Sequence, residues 1–263
     1  MWPRMSDMGS RMIVGITDHY RPPFDIEEKA LGEGVEFIDF NSRNEDDFDE
    51  DALRKVDVLL VYHARVSERT IERLDNCKIV VRYGVGVDNI AVSTATELGI
   101  AVTNVPDYCV DEVSDHVMAL LHTWNRKVAL LDRSVREQGW GSVPLTMRMM
   151  RLRGKTIGII GTGNIGAEMA RLCRAVGMKV IAWTFNPSPD RAEALGVKFV
   201  ELDELLQTAD VVSMHLALTD DSRHIVGDRE LGLMKPGSLL VNGARGGVVD
   251  TNALINSLKS GHL

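Results

Sequence analysis

Lys155-Thr156-Ile157-Gly158-Ile159-Ile160-Gly161-Thr162-Gly163-Asn164-Ile165-Gly166 is an apolar run that passes directly into a turn with three spaced glycines. The run reads as a strand, Ala167–Val176 after it as a helix, and Lys179–Trp183 as a second strand. A lone G-x-G-x-x-G says little, but between a strand and a helix, with a further strand beyond, it marks a dinucleotide-binding βαβ unit. The three glycines serve different ends. Gly161 permits the tight turn, Gly163 lets backbone approach a pyrophosphate, and Gly166 lets helix and strand pack closely. The amides of Asn164 and Ile165 open the helix, where unsatisfied N–H groups and the helix dipole favour an anion. A tight βα turn without a ligand is the competing reading.

The second strand of such a unit normally ends in Asp or Glu, which holds the adenosine ribose. Here it runs Val180-Ile181-Ala182-Trp183-Thr184-Phe185-Asn186, with Thr184 in the acid's place. A hydroxyl can still bond to the ribose, and without a carboxylate the repulsion of a 2′-phosphate is gone. Arg191 is a candidate partner for that phosphate; the alternative is a solvated residue in a helix's first turn. NAD is the expected cofactor, with NADP kept open.

Working outward, β-rich runs alternate with amphipathic stretches, the pattern of parallel sheets covered by helices. Strands are expected at Met12–Ile16, Val35–Phe40, Val58–Val61, Lys78–Arg82 and Ile100–Thr103, with helices near Phe24–Leu31, Glu50–Lys55, Glu68–Leu74 and Ser93–Leu98. Gly32 and Gly99 sit where left-handed C-caps need glycine. Val110 to about Gln138 reads as one long helix, lacking any internal glycine or proline, followed by a loop over Gly139–Arg153. Alternation then resumes with Thr156–Ile160, Lys179–Trp183, Lys198–Val200, Val211–Leu216 and Ser238–Val241. Ser188-Pro189 reads as an N-cap with proline at the first helical position. Gly177 and Gly196 fit C-caps, and Asp250 or Thr251 caps the last helix. The expectation is two α/β domains, 1–107 and 108–263, with a cleft between them. Five strands leave the second one short of the six-stranded doubly wound form, so its C-terminal part is expected to be missing.

Composition narrows the function. A net charge of −8 leaves no excess of cations to neutralise phosphates, which argues against nucleic acid. No apolar run has the length of a membrane span, and the leader Met1–Met8 lacks the apolar centre of a secretory signal. The three cysteines, Cys77, Cys109 and Cys173, show no metal-ligand spacing. They read as reduced thiols of a cytoplasmic protein, buried as small hydrophobes, and no metal is expected.

Several segments together resemble the D-isomer-specific 2-hydroxyacid dehydrogenases, the family that includes phosphoglycerate dehydrogenase and hydroxypyruvate reductase. They are Val81-Arg82-Tyr83-Gly84-Val85-Gly86-Val87-Asp88-Asn89-Ile90, Leu98-Gly99-Ile100-Ala101-Val102-Thr103-Asn104-Val105-Pro106, Leu152–Gly161, Met234-Lys235-Pro236-Gly237 and Asn242-Gly243-Ala244-Arg245-Gly246-Gly247-Val248-Val249-Asp250. The resemblance covers nearly the whole chain. It implies a flavodoxin-like substrate domain followed by a Rossmann NAD domain, and hydride transfer between a nicotinamide and a small D-2-hydroxy or 2-keto acid. It places the substrate carboxylate on the amides of Val85 and Gly86. Backbone N–H groups in such a turn suit an anion; a turn needing unusual φ angles is the plainer reading of Gly84 and Gly86. Arg245 matches the arginine that grips the carboxylate and polarises the C2 carbonyl, roles suited to a planar, permanent cation.

Cofactor contacts are implied at Val110, His215, Leu216 and Ala217, where the family usually has proline at Ala217. Ser222, Gly243 and Ala244 are expected near the ribose and nicotinamide, and His215 in the adenosine-side wall. The base that takes the hydroxyl proton is a histidine in this family, tuned by a glutamate, and both are expected beyond Leu263. Within the chain, Glu112 and His116 read as a structural i, i+4 pair, and His63 as a substrate contact in a loop facing the cleft. Arg65 and Arg82 are candidate contributors to phosphate binding. The long helix and the loop carrying Met147, Met149 and Met150 are the expected homodimer surface. A dinucleotide-sensing interaction module of the corepressor type, or a catalytically inactive short form, is the alternative to an enzyme.

Overall fold

Short β-branched runs separated by helical stretches must cross over to pair in parallel, and each strand then needs cover on both faces. The computed structural model describes residues 11–19, 23–140 and 149–263. Met1–Met8 and Met147 lie outside them. In the first unit, ending at Tyr108, five strands pair in parallel: β1 (Met12–Ile16), β2 (Val35–Asp39), β3 (Val58–Val61), β4 (Ile79–Arg82) and β5 (Ala101–Thr103). Their order is β2-β1-β3-β4-β5, the flavodoxin-type order. Helices α1 (Asp25–Leu31), α2 (Glu50–Leu53), α3 (Glu68–Ile71) and α4 (Val92–Glu97) connect them. Alternate residues of β3 serve the two faces: Leu59 and Val61 pack with Leu53, Ile71 and Ala95, and Leu60 packs with Val14, Ile16 and Leu31.

The second unit, from Cys109 onward, holds β6 (Thr156–Ile160), β7 (Lys179–Trp183), β8 (Lys198–Phe199), β9 (Val211–Met214) and β10 (Leu239–Asn242). The order β10-β9-β6-β7-β8, counted from β6, is the 3-2-1-4-5 arrangement of a dinucleotide-binding sheet. One face is covered by α5 (Val110–Arg126) and α7 (Asn164–Ala175), with Val117, Leu121, Met169 and Cys173 against Ile157 and Ile159. The other carries α9 (Leu202–Thr208), α10 (Asp228–Leu233) and α11 (Thr251–Ser260), with Leu205, Leu206, Leu231 and Ala253 packed beside Val212 and Met214. Between β7 and β8 runs α8 (Pro189–Leu195), capped by the Ser188 hydroxyl and closed by Gly196 in the left-handed region. Asp250, rather than Thr251, caps α11 by accepting from the Ala253 amide.

One expectation is corrected. The span from Val110 to Gln138 is two helices, because Lys127 adopts φ 56° and ψ 31° and separates α5 from α6 (Val128–Gln138). A side chain with a β-carbon seldom adopts this conformation, so nothing local announces the break. Packing supplies the reason: α5 buries Ser114, Val117, Leu121 and Asn125 along one face, whereas α6 buries only Ser134. Tertiary contact therefore holds α5 straight and leaves α6 free of that axis. The Lys127 ammonium settles over the Trp124 ring, 4.3 Å from its centroid, a cation–π contact that offsets part of the strain.

Gly158 shows how closely α9 approaches the sheet: a β-carbon there would lie 2.4 Å from Leu205 Cδ2 and 3.2 Å from Ala209 Cβ. Gly158→Ala is expected to cost about 1–3 kcal/mol by overpacking. Because Leu205→Ala opens the space that the new methyl needs, the double variant should lose less than the sum of the singles in urea unfolding. Additive losses would show that the two groups do not compete for that space.

Candidate functional site

The glycine-rich turn begins where β6 ends. Ile160 pairs with Trp183, and the Gly161 amide donates to the Trp183 carbonyl at 2.8 Å, so the chain leaves β6 beside the end of β7. Gly161 has φ +92°, and a β-carbon on it would meet the His215 backbone at 2.8 Å. At Gly166 a β-carbon would sit 2.0 Å from the Gly161 carbonyl oxygen, so no side chain can occupy that place. Around Gly163 the same substitution meets nothing within 4 Å. Two of the glycines are demanded by the protein's own packing, and the third leaves open backbone at the N-terminus of α7.

Two enclosed polar atoms lie at this turn: Thr162 Oγ1 and His215 Nδ1 have no hydrogen-bond partner among the described residues. The open approach at Gly163, the helix start and these atoms fit the pyrophosphate and ribose of a dinucleotide. His215 follows β9, next to β6, where the strand order reverses and open α/β sheets bind ligands. Its Nε2 lies 2.8 Å from Ser213 Oγ, and burial pushes the imidazole down to about 4, so the ring is neutral at physiological pH. A β-carbon on Gly243 would fall 3.7 Å from His215 Cε1 and 2.6 Å from Val117 Cγ2. His215 thus stands on the β9 side of the turn, facing Gly243, while Thr184 follows β7 on the opposite side.

Around this core, Val110 is the half-buried first residue of α5, Leu216 is buried, and Ala217 is exposed. Ser222 is fully buried; its hydroxyl donates to the Ala217 carbonyl at 2.6 Å and accepts from the Thr219 amide. Ser222 therefore shapes the turn after Ala217 from within. Asn242 folds the next loop: its Oδ1 accepts from the Ala244 amide at 3.0 Å and its Nδ2 donates to the Arg245 carbonyl at 2.9 Å. Half-buried Arg245 also bonds from Nη1 to the Ala244 carbonyl.

In the first unit, a residue that sequence reasoning missed organises the loops. Buried Asp18, just past β1, accepts the amides of Tyr62, His63 and Ala64 and the Thr17 hydroxyl. This holds the His63 loop at the C-terminal ends of β1 and β3, again where the strand order reverses. Nothing in Thr17-Asp18 by itself signals the role. The exposed His63 ring packs edge-on against Tyr62. Desolvation and Arg43 hold its proton affinity below the ordinary histidine range, against the pull of Asp18.

The loop after β4 presents Val85 and Gly86, and its carbonyls are tied down: Val105 N donates to Gly84 O, and Asn104 Nδ2 to Val85 O at 2.6 Å. The Val85 and Gly86 amides have no acceptor among the described residues, an arrangement suited to an anion. Gly84 is not in the left-handed region, so its reading as a turn needing unusual φ is corrected; what it lacks room for is a β-carbon, which would clash with the Arg82 guanidinium. Arg82 itself bonds to the Tyr83 carbonyl and Asn89. Arg65 is exposed. Glu112 and His116 are both exposed and form no ion pair among the described residues, which corrects their reading as a structural pair. Cys77 and Cys173 are buried, and burial pushes their thiols up to about 11 and about 12.

Strand order, glycine cradle and neutral histidine define a dinucleotide-binding α/β protein. The model of the D-isomer specific 2-hydroxyacid dehydrogenase NAD binding domain matches residues 118–263, and the chain belongs to that family. It is 39% identical to a glyoxylate reductase of Thermococcus litoralis over 215 residues, 80% of this chain and 65% of that protein. It is 38% identical to a hydroxypyruvate reductase of Thermotoga maritima over 248 residues, 92% of this chain and 78% of the relative. Among solved structures, D-lactate dehydrogenase of Aquifex aeolicus, complexed with NAD and lactic acid, superposes with a TM-score of 0.86 at 27% identity, covering 95% of this chain and 74% of that one. The chain spans less than two thirds of the length of several curated relatives it matches.

The open space at Gly163 allows its role to be separated from stability. Its φ of −66° suits any residue, so Gly163→Ala should leave the thermal midpoint unchanged while weakening dinucleotide binding by about tenfold or more through the lost backbone approach. A variant that binds as before would remove Gly163 from the cradle. His215 gives a second prediction. Its folded proton affinity lies below the unfolded value of 6.5, so the unfolded chain binds more protons between pH 6.5 and about 4. Its stabilising contribution is complete above that window and is lost as pH falls through it. His215→Asn should flatten that part of the stability–pH curve, measured by denaturant unfolding; an unchanged slope would refute the buried neutral imidazole.

Proposed function

We propose that this chain carries the dinucleotide and substrate-binding elements of an NAD(P)-dependent oxidoreductase acting on a small D-2-hydroxy acid or its 2-keto counterpart. The observation that carries this reading is the combination of the open glycine cradle at Gly163 with a half-buried arginine, Arg245, on the rigid Asn242–Arg245 turn of the same unit. The bound nicotinamide supplies or accepts the hydride. Arg245 contributes a permanent positive charge to a carboxylate and to the carbonyl oxygen that gains charge as C2 is reduced. The amides of Val85 and Gly86 are suited to the same kind of anion, and the loop that Asp18 holds presents His63 for a substrate contact. Neutral His215 shapes the wall beside Gly161 and Gly243 and is not the proton carrier. The names of the relatives, reductases and dehydrogenases, favour an enzyme over an interaction module.

The thiols and the exposed surface support a cytoplasmic, dimeric protein. Free Cys77, Cys109 and Cys173 suit the reducing cytoplasm, and among the described residues no helix is long and apolar enough to cross a membrane. Leu120, Val128, Leu130, Val135 and Trp140 are exposed apolar side chains on and just after α5 and α6, and they support a homodimer built on these helices. Met149 and Met150 follow nearby in the chain and are half-buried.

Activity is to be measured as oxidation of reduced nicotinamide with a panel of 2-keto acids, glyoxylate and hydroxypyruvate among them. Arg245→Ala is expected to lower kcat/KM by about a hundredfold or more, with dinucleotide affinity little changed. Unaltered turnover would exclude Arg245 from the chemistry. Light scattering should give twice the chain mass, and Val128→Asp with Val135→Asp should halve it; a monomeric native protein would rule out the proposed dimer.

A further inference from the structure

The adenosine end of the site carries charge information that the cradle does not. Thr184 stands one residue beyond Trp183, whose carbonyl accepts from Gly161, so it follows β7 directly beside the glycine-rich turn. In an NAD site the carboxylate at this place bonds to the ribose hydroxyls and repels a 2′-phosphate. A half-buried threonine does neither with any charge.

The cation facing this end is held in place. Arg191 lies at the third position of α8, fixed by the Ser188 hydroxyl accepting its amide at 3.2 Å and by Pro189 at the helix start. Its half-buried side chain turns back to the glycine-rich turn, and Nη2 donates to the Thr162 carbonyl at 2.6 Å. One of five guanidinium donors is thereby engaged, and the rest of the fork remains suited to phosphate oxygens. Arg191 forms no ion pair among the described residues, and its neighbour Asp190 is exposed. An anchored cation without a carboxylate partner, beside a strand end without an acid, is the electrostatic complement of a phosphomonoester dianion.

We propose that this end of the site selects NADP(H) over NAD(H), with Arg191 as the specificity-determining residue and Thr184 standing where an excluding carboxylate would be. The proposal rests on the dinucleotide reading given above and adds which dinucleotide is held. Selection arises from a charged hydrogen bond to the 2′-phosphate together with the absence of repulsion at Thr184.

The test is direct binding to the 263-residue chain, read from quenching of tryptophan emission and independent of turnover, with NADPH, NADH, 2′,5′-ADP and 5′-AMP as ligands. Each 2′-phosphorylated ligand is expected to bind about tenfold or more tightly than its counterpart, with a margin that shrinks as salt is raised. Arg191→Ala should abolish the margin, lowering NADPH affinity about tenfold or more beyond any loss of NADH affinity. Thr184→Asp should reverse the preference, showing at the same time that the variant folds and binds. If native protein takes NADH as tightly as NADPH, or if Arg191→Ala weakens both alike, the selection is overturned and the dinucleotide reading stands. If none of the four ligands binds, the dinucleotide reading itself falls, and this proposal with it.

Discussion

The contact between the α-carbon of Gly166 and the carbonyl of Gly161 is the constraint on which the second unit depends. A single methyl at Gly166 would sit 2.0 Å from that oxygen, so the first turn of α7 lies as near to the end of β6 as backbone permits. This approach brings the helix start over the strand ends and leaves Gly163 facing open space. The same closeness places His215 against Gly161 and, on its other side, against Gly243. A binding surface of backbone and neutral side chains results, preorganised because rigid elements fix each part of it.

Carboxylates, half-buried at Asp57 and Asp210 and buried at Asp18, perform the corresponding work at strand starts and loops. Asp57 Oδ2 accepts the Ile13 amide at the start of β1, and Asp210 Oδ2 accepts the Thr156 amide at the start of β6, at 2.8 and 2.9 Å. The two sheets therefore begin with the same device, an aspartate before one strand fastening the start of its neighbour. Burial opposes ionisation of Asp210, but the Thr156 amide, Lys235 and Lys155 outweigh it and keep the group below the ordinary carboxylate range. Asp18 extends the device to a functional loop, where three consecutive amides converge on one carboxylate. Such a pin is costly to remove, because each amide would be left buried or forced to move.

Much of the architecture was legible in the residues, since its signals are local. The alternation of β-branched runs with helical stretches located the ten strands of the described residues to within a few positions, and the Ser188-Pro189 and Gly196 signals delimited α8 because capping chemistry acts over one turn. The break at Lys127 was illegible. It arises from which helix face finds a partner, and no residue at the break has the backbone freedom that would advertise it. The separate duties of the three turn glycines were legible in outline, whereas the enclosure of Ser222, the packing of His215 against Gly161 and Gly243 and the role of Asp18 were not. The last two depend on residues tens of positions away along the chain.

The sequence by itself determined the class of fold, the place of the glycine-rich turn, the missing acid at Thr184 and the motif around Arg245, because spacing and residue type suffice for these. Only the tertiary structure decided what those residues face. It turned Arg191 from a helix surface residue into a cation bonded to the Thr162 carbonyl. It also made His215 a neutral wall between two glycines, and tied the carbonyls around Val85 and Gly86 away from their amides. The physical reason is common to all three. Charge and hydrogen-bonding capacity belong to the residue, but desolvation and partners belong to the packing, and packing is set by contacts between segments distant in the chain.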